Sequence, residues 1–528
     1  MSSPEEFTDQ ERRILQPYFT NTDSHVFALT NLPETVKGAL FARYSRSAKS
    51  LRRLFLDEFA GELDATAPVE ASVGVARAEK LYAKVFNEYG DDSVAQLGGA
   101  HIACEYVSNL LTKVLERGRL MAYLEQSTRY VPYTDKLRGR WRYHLPGELG
   151  GSLRARYAQT MDEEFETYAR LIAPMQRYFG ARYPKAPQDS DAVHRAATRA
   201  KTLDTLRGLL PAATQSNVGI YGTGQAFEAL LLRMRAHPLL EARECAAEML
   251  RELRKVIPSF LTRVDQPDRG DRWSEYFRRG REETRRVAGD LLEDVEAEPR
   301  DEVSLTDFDP DGEIKIVAAA LYSASDLPDD QLLAIARRMS SSERSAVLQA
   351  YAGDRTNRRH RPGRAFERTA YRFDVLTDYG AFRDLQRHRL LTLEWQPLST
   401  RHGYSEPDAI RDAGLVEEWT RVMDASAELY EELMSSGLND VAPYAVSMAY
   451  RVRFYVDMNA REAMHLIELR TAPQGHPAYR RVCQQMHELI AQRAGHTAIA
   501  AAMKFVDHSG VELERLKSER ELEKKRNR

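Results

Sequence analysis

Residues 117–133 of this 528-residue chain read RGRLMAYLEQSTRYVPY. The stretch opens with two arginines around a glycine and continues to a short segment that offers Glu125, Ser127 and Arg129. A serine hydroxyl, the N–H groups of a loop and a guanidinium together suit a phosphate monoester. Arginine is also common at an ordinary helix end, because the C-terminal end of the helix dipole attracts cations. The stretch alone therefore leaves both interpretations open.

The order of features around this stretch occurs a second time in the C-terminal half of the chain. In each half a short apolar strand candidate precedes a helical segment ending in Arg-x-Arg, then a Ser-Thr-Arg, and much later a Leu-Arg followed by His-Pro. These features lie at residues 26–29, 117–119, 127–129 and 232–238 in the first half and at 314–319, 387–389, 399–401 and 469–477 in the second. Four features in the same order twice indicate an internal repeat.

Helical periodicity dominates the rest of the sequence. Residues 95–120 and Val416–Ser435 are predicted to be helical. The two strand candidates are residues 314–319 (IKIVAA) and, more weakly, 24–29 (SHVFAL). The pattern predicts a mainly helical α+β protein with small sheets.

A charged segment separates the two halves. Residues 265–311 are rich in Arg, Asp, Glu and Pro, and we interpret them as the connection between two domains, with an exposed helix over residues 278–293. The nearly all-charged residues 513–528 are predicted to be a solvated helix. The predicted division is an N-terminal domain (1–265), a charged linker (266–302), a C-terminal domain (303–515) and a charged tail (516–528).

Composition excludes several classes of protein. The chain is 43% hydrophobic and 29% charged with a net charge of −3, which is typical of a globular protein and argues against a nucleic-acid partner. No apolar run approaches the roughly 20 residues that cross a bilayer, and the sequence MSSPEEFTDQ has no signal-peptide pattern. Cys104, Cys245 and Cys483 are distant in sequence and form no CxxC pair, so we expect a reducing cytoplasm and no metal site.

Residues 125–130 (EQSTRY) resemble the second half of the signature of the flavin-dependent thymidylate synthases. That signature is Arg-His-Arg, a short spacer and Glu-Gln-Ser-x-Arg-Tyr, and the spacing from Arg119 to Ser127 and Arg129 agrees with it without a gap. Gly118 stands where the family has histidine.

The resemblance extends along the N-terminal half. Residues 89–94 (YGDDSV) resemble the family's Gly-His-x-Ser-Val without its histidine. Arg207 precedes a Leu-Pro and Arg233 follows a leucine, as do two nucleotide-contacting arginines of the family. The family's flavin-contacting Asn-x-Arg falls near Gly222 and Gly224, which lack the side chains.

The C-terminal half resembles the other part of the family pattern. Residues 386–389 (QRHR) match Arg-His-Arg with its preceding polar residue, and residues 459–461 (NAR) and Arg470 stand at the family's spacing. Ser399 and Arg401 come two positions later than that spacing. The losses in the two halves are therefore complementary.

This resemblance implies two tandem domains like the thymidylate synthase complementing proteins and one composite site built from both. In the family, Arg-His-Arg of one subunit meets the Ser-x-Arg loop of another, so a tandem chain is expected to form a homodimer that resembles a tetramer. The implied reaction is the reductive methylation of dUMP to dTMP, with FAD as cofactor and NADPH and methylenetetrahydrofolate as co-substrates. The flavin carries the difficult chemistry, and arginines bind and polarise the nucleotide.

The resemblance also implies roles for individual residues. The expected catalytic residues are Arg233 and Arg470. The expected nucleotide-binding residues are Glu125, Ser127, Arg129, Arg207, Gln386 and Arg387. The expected cofactor-binding residues are Arg387, His388, Arg389, Asn459 and Arg461.

Two alternatives remain open at this point. The chain is a catalytically decayed nucleotide- or flavin-binding protein with a regulatory or scaffolding role, or the motif residues have structural roles only. In the second case His388 caps a helix, and Arg461 and Arg470 form surface ion pairs with Glu462 and Glu468.

Overall fold

The structure is a computed structural model, and it describes residues 6–24, 26–44, 47, 49–60, 96–510 and 512–526. The strands are β1 (Gly99–Ser108), β2 (Met121–Glu125), β3 (Gln215–Thr223), β4 (Val303–Phe308), β5 (Ala370–Asp378), β6 (Thr392–Trp395) and β7 (Arg451–Asn459). The α-helices up to the charged segment are α1 (Asp9–Leu15), α2 (Glu34–Tyr44), α3 (Leu51–Glu58), α4 (Asn109–Leu115), α5 (Gly151–Arg182), α6 (Asp191–Leu206), α7 (Gly224–Arg235), α8 (Leu240–Leu253) and α9 (Gly270–Leu292). The later α-helices are α10 (Gly312–Tyr322), α11 (Asp329–Arg338), α12 (Ser341–Ala352), α13 (Tyr379–Leu385), α14 (Asp408–Asp412), α15 (Val416–Ser435), α16 (Ala460–Arg470), α17 (Pro477–Gln492), α18 (Thr497–Ala502) and α19 (Leu516–Arg526). This content confirms the predicted mainly helical α+β class.

The chain forms two compact units that interleave along the sequence. The first unit comprises residues 1–105, 118–125 and 217–295. The second comprises residues 106–117, 126–216 and 296–528. The domain boundaries drawn from the sequence near residues 265 and 303 stay a prediction.

The sequence repeat corresponds to a repeated strand–helix arrangement. Strand β1 runs directly into α4 and β5 into α13, while β3 runs into α7 and β7 into α16. At each junction a side-chain oxygen accepts a hydrogen bond from a backbone N–H of the first helical turn, as an N-cap does. The four capping residues are Ser108, Asp378, Thr223 and Asn459.

Each half contributes one small sheet. The first has the strand order β1-β3-β2, with β2 and β3 antiparallel and Met121 opposite Gly222. The second has the order β4-β5-β7-β6, and all of its neighbouring strands are antiparallel. Side chains of Tyr371, Phe373 and Val375 on one face of β5 are fully buried, so this face forms part of the core.

Three secondary-structure predictions were wrong. Residues 314–319 lie inside helix α10, because a short apolar run does not distinguish strand from helix and its two alanines favour helix. Residues 95–120 are not one helix: β1 occupies Gly99–Ser108, where pairing in the sheet overrides the apolar pattern. Among the described residues of 24–29, Leu29 forms only an isolated bridge to Phe19.

Three other predictions agree with the structure. Helix α15 spans Val416–Ser435 as predicted. The charged tail is helical over Leu516–Arg526. The helix of the charged segment begins earlier than predicted, at Gly270, and ends at Leu292. Within the part of the chain that the structure describes, no helix has the length and apolar character needed to cross a membrane.

Helix α5 carries a buried acid, Glu164, that gives the fold a pH dependence. Its side chain is 1% exposed, and neither carboxyl oxygen has a hydrogen-bond partner among the described residues. Burial raises the pKa of Glu164 well above its ordinary value. The unfolded carboxyl ionises near pH 4.3, so Glu164 lowers the stability progressively as the pH rises above that value.

We therefore expect Glu164→Gln to flatten the fall in unfolding free energy between about pH 4.5 and pH 8. Urea denaturation at a series of pH values measures this slope. Glu166→Gln, at an exposed position of the same helix, is the matched control and should keep the wild-type slope. An unchanged slope in Glu164→Gln would contradict the assignment.

Candidate active site

Arginines from both sequence halves surround one buried carboxylate, Asp384, in the second compact unit. Burial alone would raise the pKa of Asp384, but four guanidiniums hold it well below its ordinary value. In decreasing order of effect they belong to Arg387, Arg207, Arg470 and Arg129. Two of them come from the N-terminal half and two from the C-terminal half, and we call this group the Asp384 cluster.

Arg129 is held in place by a second carboxylate. Its Nε and Nη2 atoms donate to the two oxygens of Asp204, each at 2.7 Å. Burial would lower the pKa of Arg129, but the charge of Asp204 outweighs it and raises the pKa. Nη1 donates to the hydroxyl of Tyr479 at 3.1 Å, and the Arg470 guanidinium lies 5.4 Å from the centre of the same ring. Tyr479 therefore contacts one arginine of each half.

Arg207 lies at the end of α6 and is 4% exposed. Its Nη1 donates to Asp384 at 3.4 Å, and its Nη2 has no hydrogen-bond partner within the described part of the chain. Gly380 makes this approach possible, since a Cβ there would lie 3.1 Å from the Arg207 Nε. The unpaired Nη2 is a donor that a ligand oxygen can use.

Arg470 belongs to a buried hydrogen-bonded chain. Its Nε donates to the Nε2 of His388 at 3.1 Å, and the Nδ1 of His388 lies 3.2 Å from the carboxylate of Glu462. Because Nε2 accepts from Arg470, the proton of the neutral ring is on Nδ1 and points to Glu462. Burial, and then the charge of Arg470, lower the pKa of His388 well below its ordinary value. Glu462 thus fixes the tautomer that orients Arg470.

The same residues resemble a metal site in composition only. His388, Glu462 and His465 have potential ligand atoms within 4.8 Å of one another. However, both nitrogens of His388 are already engaged, and the Arg361 guanidinium lies 2.9 Å from a ring nitrogen of His465. Guanidiniums at this distance oppose a further cation. The arrangement is therefore a hydrogen-bonded chain.

The other predicted residues of the C-terminal half serve the structure around this chain. The Oδ1 of Asn459 accepts from the N–H of Glu462 at 2.9 Å and caps α16. Arg461 donates to the carbonyl of Pro362 at 2.9 Å and approaches Glu367 at 3.4 Å. Arg389 is exposed.

The residues predicted to bind the nucleotide are divided between the two units. Gln386 donates from Nε2 to the carbonyl of Lys113 at 2.9 Å, and its buried Oε1 has no partner among the described residues. Ser127 accepts from the N–H of Arg129 at 3.2 Å and shapes the turn. Glu125 and Arg233 belong to the first compact unit.

The helix caps show how Arg233 differs from Arg470. Arg470 stands eleven residues after its cap Asn459, whereas Arg233 stands ten residues after Thr223. One residue rotates a side chain by about 100° around a helix. The two arginines therefore occupy different faces of the corresponding helices. The prediction for residues 89–94 lies outside the described residues.

Neighbouring side chains lie close to the positions of the missing family side chains of the N-terminal half. A Cβ at Gly118 would lie 2.5 Å from the hydroxyl of Tyr123, and one at Gly222 would lie 2.5 Å from Met121. A Cβ at Gly224 would lie 2.5 Å from the Cβ of Phe260. Packing has filled the space that histidine, asparagine and arginine need in the family pattern.

We expect Gly224→Ala to lower the unfolding free energy by about 1–3 kcal/mol, because the new methyl group must displace Phe260. Gly280→Ala is the matched control: it lies in helix α9 with open space around its Cβ and should stabilise by about 0.5–1 kcal/mol. The midpoints of urea denaturation measure both changes. Equal effects of the two substitutions would contradict the packing argument.

Several residues of the site were not predicted from sequence. Asp204, Asp384 and Tyr479 lie in none of the sequence motifs, and Glu462 was predicted only as a surface ion-pair partner of the predicted arginines. The charges of Arg358 and Arg361 also act on His388, and the run RTNRRHR (residues 355–361) was a signal available in the sequence.

Comparison with known proteins agrees with the repeated architecture. The model of the thymidylate synthase complementing proteins matches residues 39–259 and again residues 304–494. The chain belongs to this family. Both halves of the chain are therefore family domains, and the sequence repeat is a repeat of that domain.

Two relatives align with nearly the whole chain, and a third aligns with about a third of it. A UPF0159 protein of Chlamydia muridarum is 38% identical over 526 residues, which make up 98% of this chain and 99% of the relative. A UPF0159 protein of Thermoplasma acidophilum is 29% identical over 510 residues, or 92% and 97% of the two chains. A flavin-dependent thymidylate synthase of Mycobacterium avium is 28% identical over 181 residues, or 34% and 66%.

One solved structure is similar to part of the chain. The UMP/dUMP methylase of Streptomyces cacaoi, bound with 5-Br dUMP, is 22% identical with a TM-score of 0.30, and the similarity covers 39% of this chain and 97% of that chain. This score is too low to support a comparison of the two sites.

Proposed function

We propose that the Asp384 cluster binds a uracil nucleotide and that the protein transfers a one-carbon unit to it, as a flavin-dependent thymidylate synthase does. The observation that carries this proposal is the approach of Arg207 and Arg387 to the buried Asp384 carboxylate, at 3.4 and 3.8 Å. The charges of Arg470 and Arg129 act on the same carboxylate and also lower its pKa. Complementary motif losses in the two halves are expected if one composite site is retained. Family membership and the partial similarity to a flavin-dependent thymidylate synthase support the same reading.

The charge of the cluster suits a phosphate monoester. Its four guanidiniums face the two carboxylates of Asp204 and Asp384, so two positive charges remain within the group. A phosphate monoester carries about 1.5–2 negative charges at neutral pH. The unpaired Nη2 of Arg207 and the exposed guanidinium of Arg387 are the donors best placed to bind it.

Arg470 is the proposed catalytic residue of this site. Its Nε is committed to His388, which Glu462 orients, so its position does not depend on the ligand. A fixed guanidinium stabilises negative charge that develops on a uracil carbonyl during reaction. A second catalytic role for Arg233 and a nucleotide contact of Glu125 remain part of the proposal as predicted from the family pattern.

FAD is the proposed cofactor, with NADPH and methylenetetrahydrofolate as co-substrates. The donor set of the C-terminal half suits an anionic cofactor, since Arg387 and Arg389 are exposed cations beside the His388 chain. Arg387, His388, Arg389, Asn459 and Arg461 would hold the flavin nucleotide. When bound, the flavin supplies the redox chemistry of the reaction.

The test is the visible spectrum of the protein reconstituted with FAD, recorded with and without dUMP. We expect a flavin band that shifts on addition of dUMP, followed by dTMP formation when methylenetetrahydrofolate and NADPH are added. Arg387→Ala should abolish the dUMP-induced shift. Arg401→Ala is the matched control, because this exposed arginine of the second Ser-Thr-Arg lies outside the Asp384 cluster.

A second candidate function is nucleotide and flavin binding without catalysis, in a regulatory or scaffolding role. The glycines at positions 118, 222 and 224 favour it, because one set of family side chains is absent there. A dUMP-dependent flavin shift without dTMP formation would support this function over the synthase. A protein that takes up no FAD would contradict the flavin-dependent proposal.

A further inference from the structure

The loop at residues 355–361, which we call the basic loop, is rigidly anchored to the second unit. Arg355 is 5% exposed and donates to both oxygens of Glu468, at 2.7 and 2.6 Å, and to the carbonyl of Ala502 at 2.8 Å. The loop is closed by Asn357, whose amide lies 2.8 Å from the Nε2 of His360. These contacts fix the backbone that presents the remaining arginines.

The basic loop carries cations that no acid neutralises. Within the described ranges, Arg358, Arg359 and Arg361 form no ion pair with a carboxylate. Burial lowers the pKa of Arg358, and the charges of Arg359, Arg361 and Arg470 lower it further. Glu468 opposes this effect, but its two oxygens already bind Arg355. The loop is therefore held in a conformation that its own charges disfavour.

The neighbouring titratable groups supply only part of the missing negative charge. Burial, followed by Arg361, Arg358 and Arg470, lowers the pKa of His465 to about 4, so this ring is neutral at physiological pH. Burial raises the pKa of Glu462 to about 7, against the opposing charges of Arg361 and Arg461. A polyanion is the partner that would relieve this repulsion.

We propose that the basic loop binds the diphosphate group of a nucleotide. A diphosphate carries about two negative charges inside a dinucleotide and about three at the end of a nucleoside diphosphate, so either form suits the three loop guanidiniums better than one phosphodiester charge does. Guanidinium is also the side chain that pairs with phosphate in a bidentate manner. A single phosphate would leave part of the positive charge of the basic loop uncompensated. The group is supplied either by a dinucleotide cofactor such as FAD or by a separate nucleoside diphosphate. The proposal does not require methyl transfer.

Isothermal titration of the full-length protein with inorganic pyrophosphate tests the site directly. We expect saturable binding that is tighter than for inorganic phosphate and weakens with added salt. Arg358→Ala and Arg359→Ala should each weaken it about tenfold or more. These side chains support no described carboxylate, so the variants should fold. Arg338→Ala, at an exposed position of α11, is the control and should bind as the wild type does.

Competition distinguishes the two sources of the diphosphate. If ADP displaces FAD, and the affinity for riboflavin is the same in the wild type and in Arg358→Ala, the loop holds the cofactor's diphosphate. If ADP binds beside FAD and still depends on Arg358, the loop holds a separate nucleotide. No pyrophosphate binding at millimolar concentration, or equal affinity in wild type and both loop variants, overturns the proposal. Failure of dTMP formation with intact pyrophosphate binding contradicts only the function proposed for the Asp384 cluster.

Discussion

Replacing Arg355 with alanine is expected to lower the free energy of unfolding by about 3–5 kcal/mol. The side chains of Arg355 and Glu468 are 2% and 0% exposed, and they form a two-bond ion pair in the second unit. The substitution leaves the Glu468 carboxylate buried without its guanidinium. It also removes the donor to the carbonyl of Ala502. Urea and thermal denaturation followed by circular dichroism measure the loss.

A double substitution separates the unpaired charge from lost packing. Arg355→Met combined with Glu468→Leu removes both charges and keeps apolar volume, so it should recover much of the stability that Arg355→Ala loses. Arg364→Ala is the matched control, because Arg364 pairs with Glu367 at the surface, where its side chain is 86% exposed, and little change is expected. Similar losses in Arg364→Ala and Arg355→Ala would show that burial of the pair is not the cause.

The same pair links stability to ligand binding. Arg355 fixes the backbone of the basic loop, so Arg355→Ala should also weaken pyrophosphate binding even though it leaves Arg358 and Arg359 in the chain. In Arg355→Ala the loop must become ordered when the ligand binds, which costs conformational entropy. The anchored loop of the wild type does not incur this cost on binding. Arg358→Ala, by contrast, should weaken binding without the loss of stability. The two variants therefore report different properties of one loop.

The family pattern was predictable from the sequence because it depends on local spacing. Strand ends and helix starts are set by capping residues, and the spacing of nine positions from the cap Ser108 to Arg117 recurs from the cap Asp378 to Arg387. Such spacing can be recognised in a single sequence without knowledge of the tertiary contacts. The helical class and the helix Val416–Ser435 followed from the same local signals.

Carboxylate partners were not predictable, because tertiary packing chooses them. Asp204 and Asp384 stand in ordinary helical sequence, yet each neutralises an arginine from a distant segment. Strand β1 was missed for a similar reason: its apolar residues suit a helix locally, and only the neighbouring strand β3 selects the extended form. The steric closure at Gly118 likewise depends on where Tyr123 packs.

Arg470→Ala should reduce kcat/KM for dTMP formation about a hundredfold or more, as loss of one oriented donor to a developing oxyanion does. Arg470→Lys should recover little of this, because lysine has no Nε–H to bind His388 and no planar pair of Nη donors. Arg453→Ala is the matched control and should retain activity. It removes a cation of β7 that pairs with Asp374 of β5. Steady-state kinetics with dUMP as the varied substrate measures the three variants.

A structural role for Arg470 would give a different result. Its charge is one cause, after burial, of the low pKa of His388, so its removal should raise the pKa of that ring. NMR of histidine-labelled protein measures this shift, and Arg453→Ala should not produce it. A raised His388 pKa with unchanged kcat/KM would mean that the chain from Glu462 to Arg470 maintains the fold alone. A raised pKa together with a loss in kcat that exceeds any change in KM would place the oriented guanidinium at the reacting nucleotide.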